Sequence, residues 1–238
     1  MPEKKNHAWS YSSINIFSQC PRRWYGEKIE GFRQETSEQL EFGNKAHKEA
    51  ELFGKEGKAF SKDFEFMEPF VKPLIDQPGE KHFELRLALT NDLEPCSFFD
   101  NENCWWRGIC DFVNLIPNEG GGPPKEAVLI DYKTGASSKF ADKKQLELLS
   151  LGLFNTFPSL QTVKAALLFV MLPKSKSVIS GTYNREDMEK YWKPWDKLVS
   201  DLQFALVQGQ VAFPRKKNAL CKSWCPVTTC SYNGNFSE

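Results

Sequence analysis

The run AVLIDYKTG sets Asp131 and Lys133 two residues apart on what reads as a strand, so an acid and an amine leave one face while Tyr132 leaves the other. Val128, Leu129 and Ile130 carry that strand into a core. Both charged groups therefore come at its end, where burial is costly without a counter-ion. In GICDFVNLI the same alternation groups Asp111 with Ile109, Val113 and Leu115, an anion in apolar company. Upstream, His47 lies in FGNKAHKEAE, where Gly43, His47 and Glu51 recur every four residues along one helical stripe. A hard divalent cation, Mg²⁺ or Mn²⁺, satisfies two carboxylates and an imidazole together. Lys133 is not a ligand in such a set. Its ammonium would hold an attacking water and offset charge on a pentavalent phosphate, while the ion lowers the pKa of that water. This is the chemistry of phosphodiester hydrolysis. Singly, the residues have plainer readings: a strand-end ion pair for Asp131 and Lys133, a turn residue for Asp111, part of a solvated face for Glu51.

The elements that must bring these groups together can be traced along the 238 residues. Ser10 to Gly31 opens with capping hydroxyls and spaces Ile14, Phe17 and Trp24 on one helical face, which predicts a short helix ending near Cys20. A longer helix is expected from Ser37 to about Phe53, then a helix and loop between Phe60 and Pro78. Alternation in HFELRLALT, WWRGICDFVNLI and AVLIDYKTG predicts three strands in an antiparallel meander, the last two joined through the turn-forming NEGGGPPK. ADKKQLELLSLGLF has the spacing of an amphipathic helix, and VKAALLFVML and VISGTY supply two more strands. A helix crossing between strands makes the sheet mixed. Trp195, Leu198, Val199, Leu202 and Leu206 recur at helical spacing behind Pro194 and read as core. The expected fold is α/β, a mixed central sheet flanked by helices.

With 40% hydrophobic and 13% aromatic residues, the chain can bury a full core. No apolar run of about 18 residues and no basic-then-apolar leader is visible, so a cytoplasmic location without membrane contact is expected, or the host cytoplasm if the source is viral. Lys plus Arg balances Asp plus Glu at 31 each, so a nucleic acid would be held by local patches and not by the field of the whole protein. Arg22, Arg23 and Trp24 offer such a patch, with charge for phosphates beside a ring for bases; the alternative is a helix end with a buried tryptophan.

Seven cysteines in a leaderless chain do not suggest a disulfide framework. Cys96, Cys104 and Cys110 read as small buried hydrophobes. Cys221, Cys225 and Cys230 instead form a triplet in a basic tail with Arg215, Lys216 and Lys217, and Cys20 is a lone thiol near the other end. Four thiolates suit either a [4Fe-4S] cluster or a structural zinc, and either would join the N- and C-terminal segments.

Together these segments resemble the RecB-type branch of the PD-(D/E)xK nucleases, a group that includes Cas4 proteins, the nuclease domains of the AddAB repair enzyme and many phage exonucleases. SYSSINIFSQCPRRWY resembles the opening helix of that family, FGNKAHKEAE its histidine helix, and GICDFVNLI the strand with its first acid. LIDYKTG resembles the acid-x-lysine element, and QLELLSL the helix whose glutamine lies beside the active site. The resemblance covers nearly the whole chain and implies a restriction-endonuclease-like fold. It implies a metal bound by His47, Asp111, Asp131 and the backbone carbonyl of Tyr132, with Asp111, Asp131, Lys133 and Gln145 in the catalytic set. Glu84 resembles an acid that some members place beside the metal, and reads equally as a solvent-facing residue next to Arg86. Two positions depart from the pattern: Asp131 stands where glutamate is commoner, and Leu149 where a tyrosine is usual.

The lone-plus-triplet cysteines resemble the iron-sulfur motif of AddB and Cas4. They imply a single nuclease domain over 1–238, with a [4Fe-4S] cap from about 1–35 and 208–238 around a core of about 36–207. Zinc remains the other reading. The implied activity is Mg²⁺- or Mn²⁺-dependent hydrolysis of DNA, single-stranded or at ends, by an exonuclease of recombination, repair or phage DNA processing. No GxxxxGKT motif is present, so unwinding would come from a partner such as a helicase, a recombinase or a CRISPR or phage recombination protein. A non-catalytic DNA-binding or assembly subunit with the same fold and cluster is the competing reading. A cysteine-rich zinc protein of RNA processing is a third.

Overall fold

The computed structural model describes residues 7–139 and 141–236. Ser10 caps α1 (Tyr11–Gln19) by accepting from the Ser13 N–H, and Pro21 at the first position of α2 (Pro21–Lys28) starts a second helix that the pattern, which predicted a single one ending near Cys20, did not show. α3 (Glu38–Glu56) carries Glu38 and Glu41 in its first turn and Lys55 in its last, the order the helix dipole favours. Gly57 follows at φ +65°, a left-handed stop that glycine adopts without strain. α4 (Glu68–Ile75) comes next, shorter than the expected segment because Pro69 and Pro73 limit its hydrogen bonding.

Then come β1 (Glu80–Leu89), β2 (Trp106–Ile116) and β3 (Glu126–Lys133), the crossover helix α5 (Lys144–Thr156), β4 (Thr162–Phe169), β5 (Val178–Asn184) and α6 (Met188–Gln208). The five strands lie in sequence order in one sheet. All pairs are antiparallel except β3 with β4, the pair that α5 connects.

One face of the sheet, with Phe112, Ile130, Tyr132, Ala166 and Leu168, packs under Ala46 and Ala50 of α3 and Val71 of α4. α5 lies on the other face. Its Gly152 passes Trp106 and Leu87 so closely that a β-carbon there would strike both, and buried Leu149 sits against Gly108. Cys104 and Cys110 are fully buried, while Cys96 is half-buried.

The chain forms two compact units. One is Glu38–Tyr191 with the described residues before Trp9; the other is Trp9–Ser37 with the chain from Trp192 onward. The first holds the whole sheet. The second has its own aromatic core, in which Trp9 packs on Trp192 and Trp195 and Phe213 stacks on Trp24. Most of α6 belongs to this second unit, whereas the sequence pattern leaves it in the core segment. Among the described residues, no helix is long and apolar enough to cross a membrane.

Candidate active site

The hydrogen-bonded ladder between β2 and β3 runs from Ile116↔Glu126 to Phe112↔Ile130 and ends there. Past that point the Tyr132 N–H donates to Asp111 Oδ2 at 2.6 Å. A carboxylate has taken the place of a backbone carbonyl, and the strands part around it. The parting matters because alternation sends Tyr132 toward α3 and Asp131 toward α5. Groups from both faces of the sheet can meet only where the ladder opens.

Two close approaches bring α3 to this opening. A β-carbon on Gly43 would lie 3.2 Å from Thr134 Oγ1, and one on Gly54 would overlap the Phe83 ring. Between these glycines His47 faces the strand ends. Its Nδ1 lies 3.2 Å from Asp111 Oδ1 and its ring stands edge-on to Tyr132, with 6.3 Å between centroids.

Glu84 completes the group. On β1 it falls between the pairs Phe83↔Phe112 and Leu85↔Cys110, opposite Asp111, and its φ is +52°. A non-glycine residue in the left-handed region costs about 1–3 kcal/mol and persists where its surroundings hold it. Among the described residues, His47, Glu84 and Asp111 are the set whose possible ligand atoms lie within 4.8 Å of one another. The compact trio thus contains Glu84, which the sequence left open, and not Asp131.

Asp131 stands beside the trio, held from the α5 side. Gln145 Nε2 donates to its Oδ1 at 2.6 Å, and Lys133 Nζ lies 2.6 Å from its Oδ2. Lys133 in turn donates to Gln145 Oε1 at 3.1 Å. The Lys133 contact is an ion pair outside hydrogen-bond geometry, so Asp131 Oδ2 remains a buried oxygen without a hydrogen-bond donor. Tyr132 fills the core with its side chain, as alternation predicts.

The charges here oppose one another. Burial, and then the charge of Asp111, push the Asp131 carboxyl up to about 6 against the pull of Lys133. Burial and Asp111 likewise raise Glu84. Burial works against a proton on His47, but the hydrogen bond it donates to Asp111 and the charges of Asp111, Asp131 and Glu84 outweigh it and raise its pKa. Three acids crowded at a strand end, one with an unsatisfied buried oxygen, fit a divalent cation. An open groove of about 540 Å³ exposes the site, with His47, Glu84 and Lys133 in its wall.

Glu51, one turn beyond His47, is engaged by Lys48 at 2.9 Å and Lys55 at 2.7 Å, the ordinary pairing of an exposed helix face. Leu149 is buried, so no polar contact arises where the family pattern has a tyrosine.

The four terminal cysteines line one small pocket of the second unit, with a free volume of about 10 Å³. The Lys216 N–H donates to Cys20 Sγ at 3.5 Å and the Asn218 N–H to Cys221 Sγ at 3.4 Å. Arg22, Arg23 and Arg215 stand in the same wall. The sulfurs do not form a set within 4.8 Å of one another. Trp24 corrects an expectation: it is 2% exposed, stacked on Phe213, and donates from Nε1 to Ser13 Oγ at 2.9 Å. It offers no face to a base. Arg22 pairs with Glu30 and Arg23 with Glu27.

The mixed five-stranded sheet flanked by helices is a restriction-endonuclease-like α/β fold, and the model of the PD-(D/E)XK nuclease superfamily matches residues 8–94. That stretch includes His47 and Glu84. Solved structures similar to this chain include SSO0001, with 14% identity, TM-score 0.47, and 98% of this chain and 90% of that one covered. Another is a provisionally named exonuclease from Eubacterium rectale, with 11% identity, TM-score 0.48, and 83% and 80% covered. A search of curated proteins gives no match.

Proposed function

We propose that this protein is a divalent-metal-dependent deoxyribonuclease that works from DNA ends. The observation that carries the reading is the meeting of His47, Glu84 and Asp111 beside an Asp131–Lys133 pair bridged by Gln145, with His47, Glu84 and Lys133 in the wall of an open groove. His47, Glu84, Asp111 and Asp131 through the Oδ2 that faces Lys133 would hold the ion, with the Tyr132 carbonyl as a further oxygen donor. A bound Mg²⁺ or Mn²⁺ supplies neutralisation of phosphate charge and a lowered pKa for water.

The side chains do the rest. Gln145 fixes Asp131 and Lys133 in one arrangement before substrate arrives, so little reorganisation is needed. Lys133, one-third exposed, directs its ammonium toward the groove, where it would donate to a phosphate oxygen and orient the water.

The setting we propose is recombination, repair or phage DNA processing in a cytoplasm, with strand opening supplied by a partner helicase or recombinase. Linear DNA incubated with Mn²⁺ should be degraded by the parent protein and not by Asp131→Ala, and closed circular DNA should survive. Equal cleavage by the variant would remove the site assigned here, and loss of circles at the same rate would remove the end requirement. A non-catalytic subunit would bind DNA and cleave neither.

For Cys20, Cys221, Cys225 and Cys230 we propose a [4Fe-4S] cluster. Two N–H donors aimed at sulfur, with Arg215 in the same wall, suit bound thiolates. Zinc bonds of about 2.3 Å would set the sulfurs roughly 4 Å apart, and no three of them form so close a set. The small free volume favours the single ion instead, so metal analysis with the visible spectrum decides. Colourless protein with one zinc would replace the cluster.

A further inference from the structure

A second groove adjoins the metal site, and the two share Glu51 and Glu84 in their walls. It follows β1, the edge strand of the sheet, and encloses about 680 Å³. Lys55, Lys81 and Arg86 line it. Lys55 already pairs with Glu51, which leaves the phosphate-binding role to Lys81 and Arg86.

Arg86 joins this groove to an aromatic cluster. Its guanidinium lies 5.1 Å from the Phe99 ring centre and 5.7 Å from that of Phe98, while Arg107 lies 5.5 Å from Phe98. The two rings meet edge to face at 5.3 Å. Phe99 is nevertheless 65% exposed. An exposed phenyl fixed by a guanidinium and a second ring is a rigid apolar surface with positive charge at its border. It lies in the loop joining β1 and β2, the strands that carry Glu84 and Asp111. Arg86 follows Glu84 by two residues, about 7 Å along the strand.

We propose that the β1 groove, with Phe99 at its end, is a binding subsite for single-stranded DNA that leads the strand to the metal site; this rests on the nuclease reading above. Phosphates pair with Arg86 and Lys81, and an unpaired base stacks on Phe99. A duplex keeps its base faces covered, so the platform favours the single strand. It takes the role that buried Trp24 cannot fill.

Binding is tested in the full chain carrying Asp131→Ala, so that substrate is not consumed, by fluorescence anisotropy of a labelled thymidine 15-mer. Adding Phe99→Ala should weaken binding by about 10-fold, within the range for one lost base stack. Affinity for a blunt duplex of equal length should hold. Arg86→Gln should lower the slope of log affinity against log salt by about 0.7, the value for one single-strand phosphate contact. Unchanged single-strand affinity in Phe99→Ala, or an equal loss on the duplex, overturns the proposal. So does a dimer that Phe99→Ala converts to monomer in sedimentation, since the ring would then be a self-association contact. Failure of the nuclease reading would show elsewhere, as unchanged cleavage by Asp131→Ala in Mn²⁺.

Discussion

The acids around His47 and the thiols around Cys20 both join residues far apart in the chain, but opposite forces act on them. At the acid site, burial and like charge raise Asp131 and Glu84, and Glu84 carries a left-handed backbone besides. Metal-free, that site opposes its own folding. In the cysteine pocket, among the described residues, no acids crowd together, and the four thiols share a wall with Arg22, Arg23 and Arg215. Burial pushes the Cys225 thiol up, while backbone N–H groups already point at the Cys20 and Cys221 sulfurs. On the proposed reading, the first region stores unfavourable energy that a bound cation would offset, and the second would gain stability once its thiolates shared a metal. Altering the first should therefore change turnover with little loss of stability, and altering the second should do the reverse.

The sharpest way to break this contrast is Lys133→Ala. Cleavage of linear DNA in Mn²⁺ should fall by roughly 10²–10³-fold, as for other lost electrostatic contacts to a developing charge, while the melting temperature stays within a few degrees. A variant that keeps activity would show Lys133 to be an ordinary partner of Asp131. Glu84→Gln comes next. Removing one ligand charge should weaken apparent Mn²⁺ affinity by at least about 10-fold, and relief of crowding should leave the chelated protein no less stable than the parent. Lower stability in chelator would show that Glu84 supports the fold.

Cys225→Ser tests the other side. Its melting temperature should drop by roughly 5–10 °C, since each kcal/mol moves it by about 2–4 °C at this chain length. Activity per folded molecule at low temperature should persist, and equal melting of variant and parent would exclude a structural metal in the pocket.

The smallest effect is in pH. Asp131 titrates at about 6 in the folded chain against an ordinary 3.8, so the folded state holds the proton more tightly. Its contribution to stability is fully present below about pH 4 and lost as the pH rises through about 6. In chelator, the melting temperature of the parent relative to Asp131→Asn should fall by a few degrees between pH 4.5 and 7.5. Mn²⁺ should reverse that trend, because the ionised carboxylate binds the cation. A flat difference would mean that Lys133 cancels the burial of Asp131.

Among the described residues, periodicity and turn signals located the five strands and five of the six α-helices, α4 only within a loosely bounded segment. The miss, α2, lies where Pro21 restarts a helix just after Cys20, and proline reads equally as a stop. Local pattern also singled out His47, Asp111, Asp131 and Lys133 as candidates, since charged groups set into apolar strand ends or onto one helical stripe stand out from their surroundings. Gln145 came only through family likeness. Its bridge to Asp131 and Lys133 depends on where the crossover helix lands, a matter of long-range packing.

Glu84 and Trp24 show the limit most directly. Nothing in HFELRLALT signals a left-handed glutamate, next to the Phe83 ring that α3 approaches through Gly54. Nothing in CPRRWY says whether the indole faces water; Phe213, nearly the whole chain away, covers it. Sequence thus determined which residues carry charge and on which element, because spacing of 2 and 3.6 is a property of the local chain. Tertiary structure alone decided which of those charges share a site, because that depends on where the β2–β3 ladder ends and which helix stands over the opening.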